Sequence, residues 1–194
     1  MAAAAGHCYA APVARIHIVG ASGSGTTTLG VALAREIDGA HLDTDNFFWL
    51  PTYPPFTTKR PVERRLKLLE AELIQDSWVL SGSLMGWGEV LIPRFDLVVF
   101  LYVPPDVRLE RIIERERQRY GADIDPGGRM HENHKAFVDW AKGYDTADAE
   151  GRSHARHRAW IDHLPCPVVE ITGVPTVEES VECVLAAAAG RRHD

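Results

Sequence analysis

The chain has 194 residues, 45% hydrophobic and 25% charged, the length and composition of an ordinary globular domain, which excludes a disordered or fibrous protein. Its charge sum, 21 − 27 = −6, argues against a dedicated nucleic-acid binder, because phosphate contacts along a duplex need a basic face. No apolar run reaches the roughly 18 residues of a membrane span. The opening MAAAAGHCYAAP has no Lys or Arg ahead of its alanines, so no secretory signal or membrane is expected. Cys8, Cys166 and Cys183 show no CxxC spacing and read as reduced thiols. Together these features give the expectation of a cytoplasmic protein, monomer or homodimer, with a flexible tail over residues 1–12 and a single domain over 13–190.

In chain order, Arg15 to Val19 (RIHIV) is a short β-branched strand that runs into GASGSGTTTLG and then an amphipathic helix with Leu29, Ala32, Leu33 and Ile37 on one face. Gly39 stands where a C-cap belongs, and His41-Leu42-Asp43 forms a second strand. Residues 51–58 are a proline-rich loop, and Pro61 opens a helix carrying Val62, Leu66, Leu69 and Leu73. Trp78-Val79-Leu80 is a third strand, ending in Ser81-Gly82-Ser83. Leu97 to Val103 (LVVFLYV) is apolar on both faces, as a central parallel strand covered by helices on both sides must be. Asp106 is a plausible N-cap for a helix to about Arg119. Helical patterns follow at Phe137/Trp140/Ala141/Tyr144, Trp160/Ile161/Leu164 and Val177/Val181/Val184/Ala188, the last opened by Thr176 and Glu179 at capping-box spacing. Pro167 to Ile171 is a fifth strand. Strands alternating with helices imply an α/β, doubly wound parallel sheet with right-handed crossovers.

Gly20-Ala21-Ser22-Gly23-Ser24-Gly25-Thr26-Thr27 fits the phosphate-loop template G-x-x-x-x-G-K-[ST] everywhere but at the lysine, where Thr26 stands. Its glycines let backbone N–H groups wrap an anion, the following helix start is electropositive, and Thr27 can place a hydroxyl on Mg²⁺, with Thr28 beside it. The missing lysine removes a charge that reaches the β- and γ-phosphates. Asp43 and Asp45, leaving a strand at i and i+2, would point together toward the sheet edge where ligands of open α/β sheets bind. Either could hold Mg²⁺ or take a hydroxyl proton, although Asp-Thr-Asp-Asn is also good turn and cap chemistry.

Gly20 to Gly30, the Asp43/Asp45 pair and the arginine-rich stretch after the fourth strand together resemble the adenylate, shikimate and gluconate kinase branch of P-loop phosphotransferases. The resemblance is strongest to bacterial adenylate-kinase-like proteins of uncertain substrate, and covers Arg15 to Ala189. It implies a five-stranded parallel sheet in the order 2-3-1-4-5, ATP with Mg²⁺ held by Thr27, Asp43 and Asp45, an acceptor region after strand two, and a helical lid over about 115–131. In the lid, Arg111, Arg115, Arg117 and Arg129 would supply guanidinium forks to phosphate oxygens, with Arg115 and Arg117 catalytic and Arg115, Arg117 and Arg129 partly replacing the lysine. Interleaved Glu110, Glu114 and Glu116 could instead pair with them on a solvated helix surface.

On the acceptor side, Ser81, Gly82 and Ser83 sit where related kinases let the acceptor approach the backbone. Lys59, Arg60 and Arg64 fall in a segment, residues 59–67, that holds five basic residues against one acid, which points to a small anionic acceptor. Arg152, Arg156 and His157 could line the site, while Trp140 and Trp160 read as core. The His131/His134 and His154/His157 pairs lack the partners of a zinc site. The reading is an ATP-dependent phosphotransferase, with a non-catalytic nucleotide-binding regulatory domain as the alternative the loss of lysine permits, and a nucleotide-free anion scaffold as a weaker third.

Overall fold

A computed structural model describes residues 14–146 and 151–189; the expected tail therefore lies outside the described residues. Five parallel strands, β1 (Arg15–Gly20), β2 (Ala40–Asp43), β3 (Trp78–Ser81), β4 (Leu97–Tyr102) and β5 (Val168–Thr172), pair in the order β2-β3-β1-β4-β5. Among the described residues, seven α-helices connect or flank them: α1 (Thr26–Glu36), α2 (Thr44–Phe48), α3 (Val62–Glu72), α4 (Pro105–Tyr120), α5 (His131–Lys142), α6 (His154–Ile161) and α7 (Val177–Ala189).

Side chains alternate across a strand, and the strands use both faces. Ile16, Ile18, Val79, Leu97, Val99 and Leu101 pack with Leu29, Leu33 and Ile37 of α1 and Val184 of α7. Val19, Trp78, Leu80, Val98 and Phe100 pack on the other face with Leu69 of α3 and Ile161 of α6. This two-sided burial is why LVVFLYV carries no polar alternation.

Register aligns the strand ends that matter. Asp43 lies opposite Ser81, Ser81 opposite Ile18, and Gly20 opposite Leu101. The chain leaves β1 toward β2 and β3 on one side and returns to β4 on the other, so the crevice of a doubly wound sheet opens at the C-terminal end of β1.

Several local expectations are corrected. The left-handed residue after α1 is Asp38 (φ 50°), with Asp38 N–H on the Arg35 carbonyl at 3.3 Å and Gly39 N–H on the Ala34 carbonyl at 2.8 Å, the two bonds of a Schellman ending. Gly39 lies one residue further on, against the Ser77 backbone. Asp106 does not cap α4: Pro104 stands at the cap, Pro105 opens the helix, and Asp106 lies in its first turn, where a negative charge suits the dipole. β5 is shifted by one residue to Val168–Thr172, and Leu164 falls beyond α6. Trp140 is not core; its ring is exposed, stacked on Phe137 with Arg152 over it at 5.0 Å. Trp160 does pack against the second core. The capping box before α7 forms, with Thr176 N–H on Glu179 at 2.8 Å and Glu179 N–H on Thr176 Oγ1 at 3.1 Å.

Candidate active site

The glycine loop joins β1 to α1. Gly23 (φ 82°) and Gly25 (φ 95°) take left-handed backbone conformations that curl it, and Gly25 is the N-cap of α1. The first amides of α1, from Thr26 on, have no intrahelical acceptor. Gly23 has a second reason to lack a side chain, since a Cβ there would come within 2.5 Å of the Arg108 carbonyl oxygen of α4. The buried Ser24 hydroxyl has no hydrogen-bond partner among the described residues.

One residue into α1, Thr27 Oγ1 donates to Asp43 Oδ2 at 2.7 Å. Asp43 also accepts the Asp45 N–H on Oδ1 at 2.9 Å and, at 3.5 Å, the Ser81 hydroxyl, which is itself 2.9 Å from His41 Nε2. Asp43 is thus both the cap of α2 and the partner of Thr27. The extended i, i+2 geometry expected from sequence is not what the chain adopts: it turns at Thr44, and Asp45 stands in the first turn of α2. The two carboxylates remain close enough to interact. Desolvation by the surrounding protein first, and the Asp43 charge second, push the pKa of the Asp45 carboxyl up; Arg152, the Trp49 side chain and Arg115 oppose that shift. Thr27 and Asp43 form a hard-oxygen pair of the kind Mg²⁺ takes.

The arginines expected to serve a lid divide. Arg111 lies at the loop, its Nη1 donating to the Gly23 carbonyl at 3.4 Å, and Arg115, one turn on, faces Asp45 electrostatically. Arg117 does not join them. Two residues from Arg115 is about 200° around a helix, and its guanidinium makes a two-pronged pair with Asp125 at 3.0 and 2.6 Å and also donates to the Gly121 carbonyl. Arg129 pairs with Asp123 at 2.6 Å and lies near Tyr53, and Arg119 lies 5.0 Å over Phe56, so the end of α4 and the segment after it meet the 51–58 loop.

The acceptor-side residues are spent largely on structure. Arg60 Nη1 donates to the Asn46 and Phe47 carbonyls at the end of α2 (3.0 and 2.5 Å), and Lys59 lies 5.9 Å from the Phe48 ring. A Cβ on Gly82 would come within 2.0 Å of Thr44 Oγ1, so α2, rather than an acceptor, occupies that approach. Ser83 is buried and braces the turn, its carbonyl accepting from Trp87 Nε1 at 3.1 Å. Ser81 is buried beneath Asp43, and Arg64 is exposed.

Two arginines outside the main expectation matter more. Arg65 is buried, 3.8 Å over Phe48, with Nε on the Arg60 carbonyl at 2.6 Å; burial, then the Arg60 charge, lower its pKa. Its signal was available, since Arg65 lies four residues before Leu69 and interrupts the buried stripe of α3. Arg152, in the segment before α6, lies within electrostatic range of Asp45 and is also shifted down, first by burial. Arg156 instead turns back to the Gly151 carbonyl, and His157 is buried against the Tyr144 hydroxyl at 2.7 Å. His131 meets the Ile124 carbonyl at 3.0 Å and His134 lies 3.8 Å from Glu116.

With this geometry in place, comparison with known proteins is informative. Residues 16–137 match the AAA domain family, and 171 residues are 50% identical to the uncharacterized protein YqaC of Bacillus subtilis, covering 88% of this chain and 94% of that one. The chain belongs to the AAA domain family. The fold of this AAA domain is also that of solved structures at low identity. A shikimate kinase from Bacteroides thetaiotaomicron aligns at a TM-score of 0.54 and 20% identity, covering 91% of this chain and 98% of that one. A sugar kinase from Janibacter sp. aligns at 0.52 and 18%, covering 92% and 95%. Likeness at this level establishes the P-loop kinase fold. No helix among the described residues is long and apolar enough to cross a membrane.

Proposed function

We propose that this AAA-domain protein is an ATP-dependent kinase that transfers the γ-phosphoryl group to a hydroxyl of a small anionic acceptor. The observation that carries the reading is the Thr27–Asp43 bond at the start of α1, with Asp45 beside it and facing Arg115 and Arg152. Two of the structural neighbours, a shikimate kinase and a sugar kinase, agree with it.

In this reading the loop amides at Gly23 to Thr28 hold the nucleotide phosphates, and Thr27 and Asp43 hold Mg²⁺. Bound Mg²⁺ would neutralise charge on the phosphate oxygens. Asp45 accepts the acceptor's hydroxyl proton as that oxygen attacks the γ-phosphorus; the bond from γ-phosphorus to the bridging oxygen breaks, and ADP leaves. Its raised pKa suits it to the base role, while Asp43, held by Thr27 and the Asp45 amide, is oriented to hold the ion. Arg65, a buried guanidinium with no carboxylate ion pair among the described residues, and Arg152 supply the positive charge for the acceptor's carboxylate or phosphate. Closure of the lid against Tyr53 and Phe56 excludes water.

Thr26 in place of lysine favours a second reading, a regulatory domain that binds nucleotide without transferring phosphate. Calorimetric titration with Mg·ATP, then an ATP-consumption screen over hydroxy acids, sugar acids and nucleoside monophosphates, separates the two. Binding with turnover on one anionic acceptor is the expected result. Tight binding with no turnover on any acceptor moves the assignment to the regulatory reading, and no binding at millimolar ATP removes both.

A further inference from the structure

We infer that Arg111 takes the place of the missing loop lysine: a cation delivered to the β- and γ-phosphates from α4 rather than from position 26. This rests on the nucleotide-binding reading above and assigns the charge that reading lacks. Three observations carry it. The residue following Gly25 is Thr26, which brings no charge to the loop. The guanidinium of Arg111 lies at the loop itself, 3.4 Å from the Gly23 carbonyl and 4.0 Å from where a Cβ on Gly25 would stand, next to the position a loop lysine would occupy. Among the described residues Arg111 has no ion-pair partner, whereas Arg117 and Arg129 are bound to Asp125 and Asp123.

The placement is built into the backbone. Gly23 allows α4 to approach the loop at Arg108, closer than any side chain would permit, and Arg111 follows three residues later, on the face of α4 that meets the loop. Arg108 is itself fixed, buried with Nε on the Val103 carbonyl at 2.9 Å and its guanidinium paired to Asp145. Arg111 is therefore presented from the anchored end of α4. Arg117, by contrast, lies near the far end of the helix and makes its contacts within the lid. Arg115 is one turn further from the loop than Arg111 and is engaged with the Asp45 field. A guanidinium also suits the task chemically, because it stays charged and can grip two phosphate oxygens at once, where an ammonium acts as a point charge.

The test is a two-site cycle read by calorimetric titration of Mg·ATP, Mg·ADP, AMP and inorganic tripolyphosphate. The proteins are the wild type, Arg111→Ala, Thr26→Lys and the double variant, each checked for an unchanged melting temperature. Arg111→Ala is expected to weaken ATP, ADP and tripolyphosphate by roughly ten- to a hundredfold, the range for a hydrogen bond to a charged group, and AMP far less. Thr26→Lys should restore more affinity in the Arg111→Ala background than it adds to the wild type. Equal loss for AMP would move Arg111 to the base or the α-phosphate, and additive effects of the two substitutions would show that the two side chains do different work; either overturns the inference while leaving nucleotide binding intact. Wild-type protein that binds neither ATP nor tripolyphosphate removes the nucleotide reading and this inference together.

Discussion

Asp43 and Asp45 are the same residue type two positions apart, yet the fold gives them different chemistry. Asp43 ends β2, and its oxygens accept from the Asp45 amide, Thr27 and Ser81; a carboxylate so occupied serves to hold and orient. Asp45 is placed by the turn into α2, and burial and its neighbour's charge raise its pKa. Asp45→Asn is therefore expected to lower kcat by about 10²- to 10⁴-fold, the usual worth of a positioned base, while Mg·ATP affinity changes little. Asp43→Asn should raise the Mg²⁺ concentration needed for half-maximal rate. A kcat for Asp45→Asn within a factor of a few of wild type would take the base role away from it. The pair was legible in the sequence because its spacing near a strand end is chemistry-bearing. Its geometry was legible only in the alternative reading of Asp-Thr-Asp-Asn as a cap, which Asp43 adopts; α2 itself has five residues, too few to show a helical period, and its C-terminal carbonyls are satisfied by Arg60, distant in sequence.

At the level of elements, charge hides within apolar stripes. In α4 the buried residues are Arg108, Ile112 and Glu116, four apart; a reading that counts only apolar positions assigns this helix to the surface and its arginines to solvent or phosphate. Arg108 instead ties α4 to the turn after α5 through Asp145, and its guanidinium lies 4.9 Å from the Tyr144 ring. Removing one partner of such a pair strands the other charge. Arg108→Met is expected to cost about 3 kcal/mol in urea unfolding, the low end for a broken buried pair, because Asp145 retains some contact with water. Adding Asp145→Asn should recover part of that loss. If the double variant is as unstable as the two single losses summed, the Asp145 pairing is not the source of the effect. The helices with clean apolar periods, α1 and α7, were legible for the converse reason, since each lays small aliphatic residues on one sheet face.

Across the whole molecule, the alternation of β-rich runs and helical periods was enough for a parallel, doubly wound sheet, whereas its 2-3-1-4-5 order came from the resemblance to the P-loop kinases, and both hold. What the sequence did not disclose is that the second core contains imidazoles. His17 sits in the middle of β1, fully buried, with Nδ1 on the Leu80 carbonyl at 3.0 Å and its ring stacked on Phe95 at 4.9 Å. Burial lowers its pKa from 6.5 to about 4, against the Leu80 hydrogen bond, which raises it. His157 is lowered to about 3, by burial first and then by the charges of Arg152, His17 and His154. Both rings are neutral in the folded protein near neutrality, whereas the unfolded chain takes up protons below 6.5. The fold thus keeps its full stability above pH 6.5 and loses it as pH falls toward 4, by about 3 kcal/mol for His17 alone, 2.5 units at 1.36 kcal/mol each. Melting temperatures measured by calorimetry from about pH 7 to pH 4.5 should therefore fall steeply, and His17→Leu, which cannot be protonated, should flatten the slope over that interval. A variant whose melting temperature falls as steeply as that of the wild type would remove His17 from the cause and leave the acid sensitivity to the carboxylates and His157.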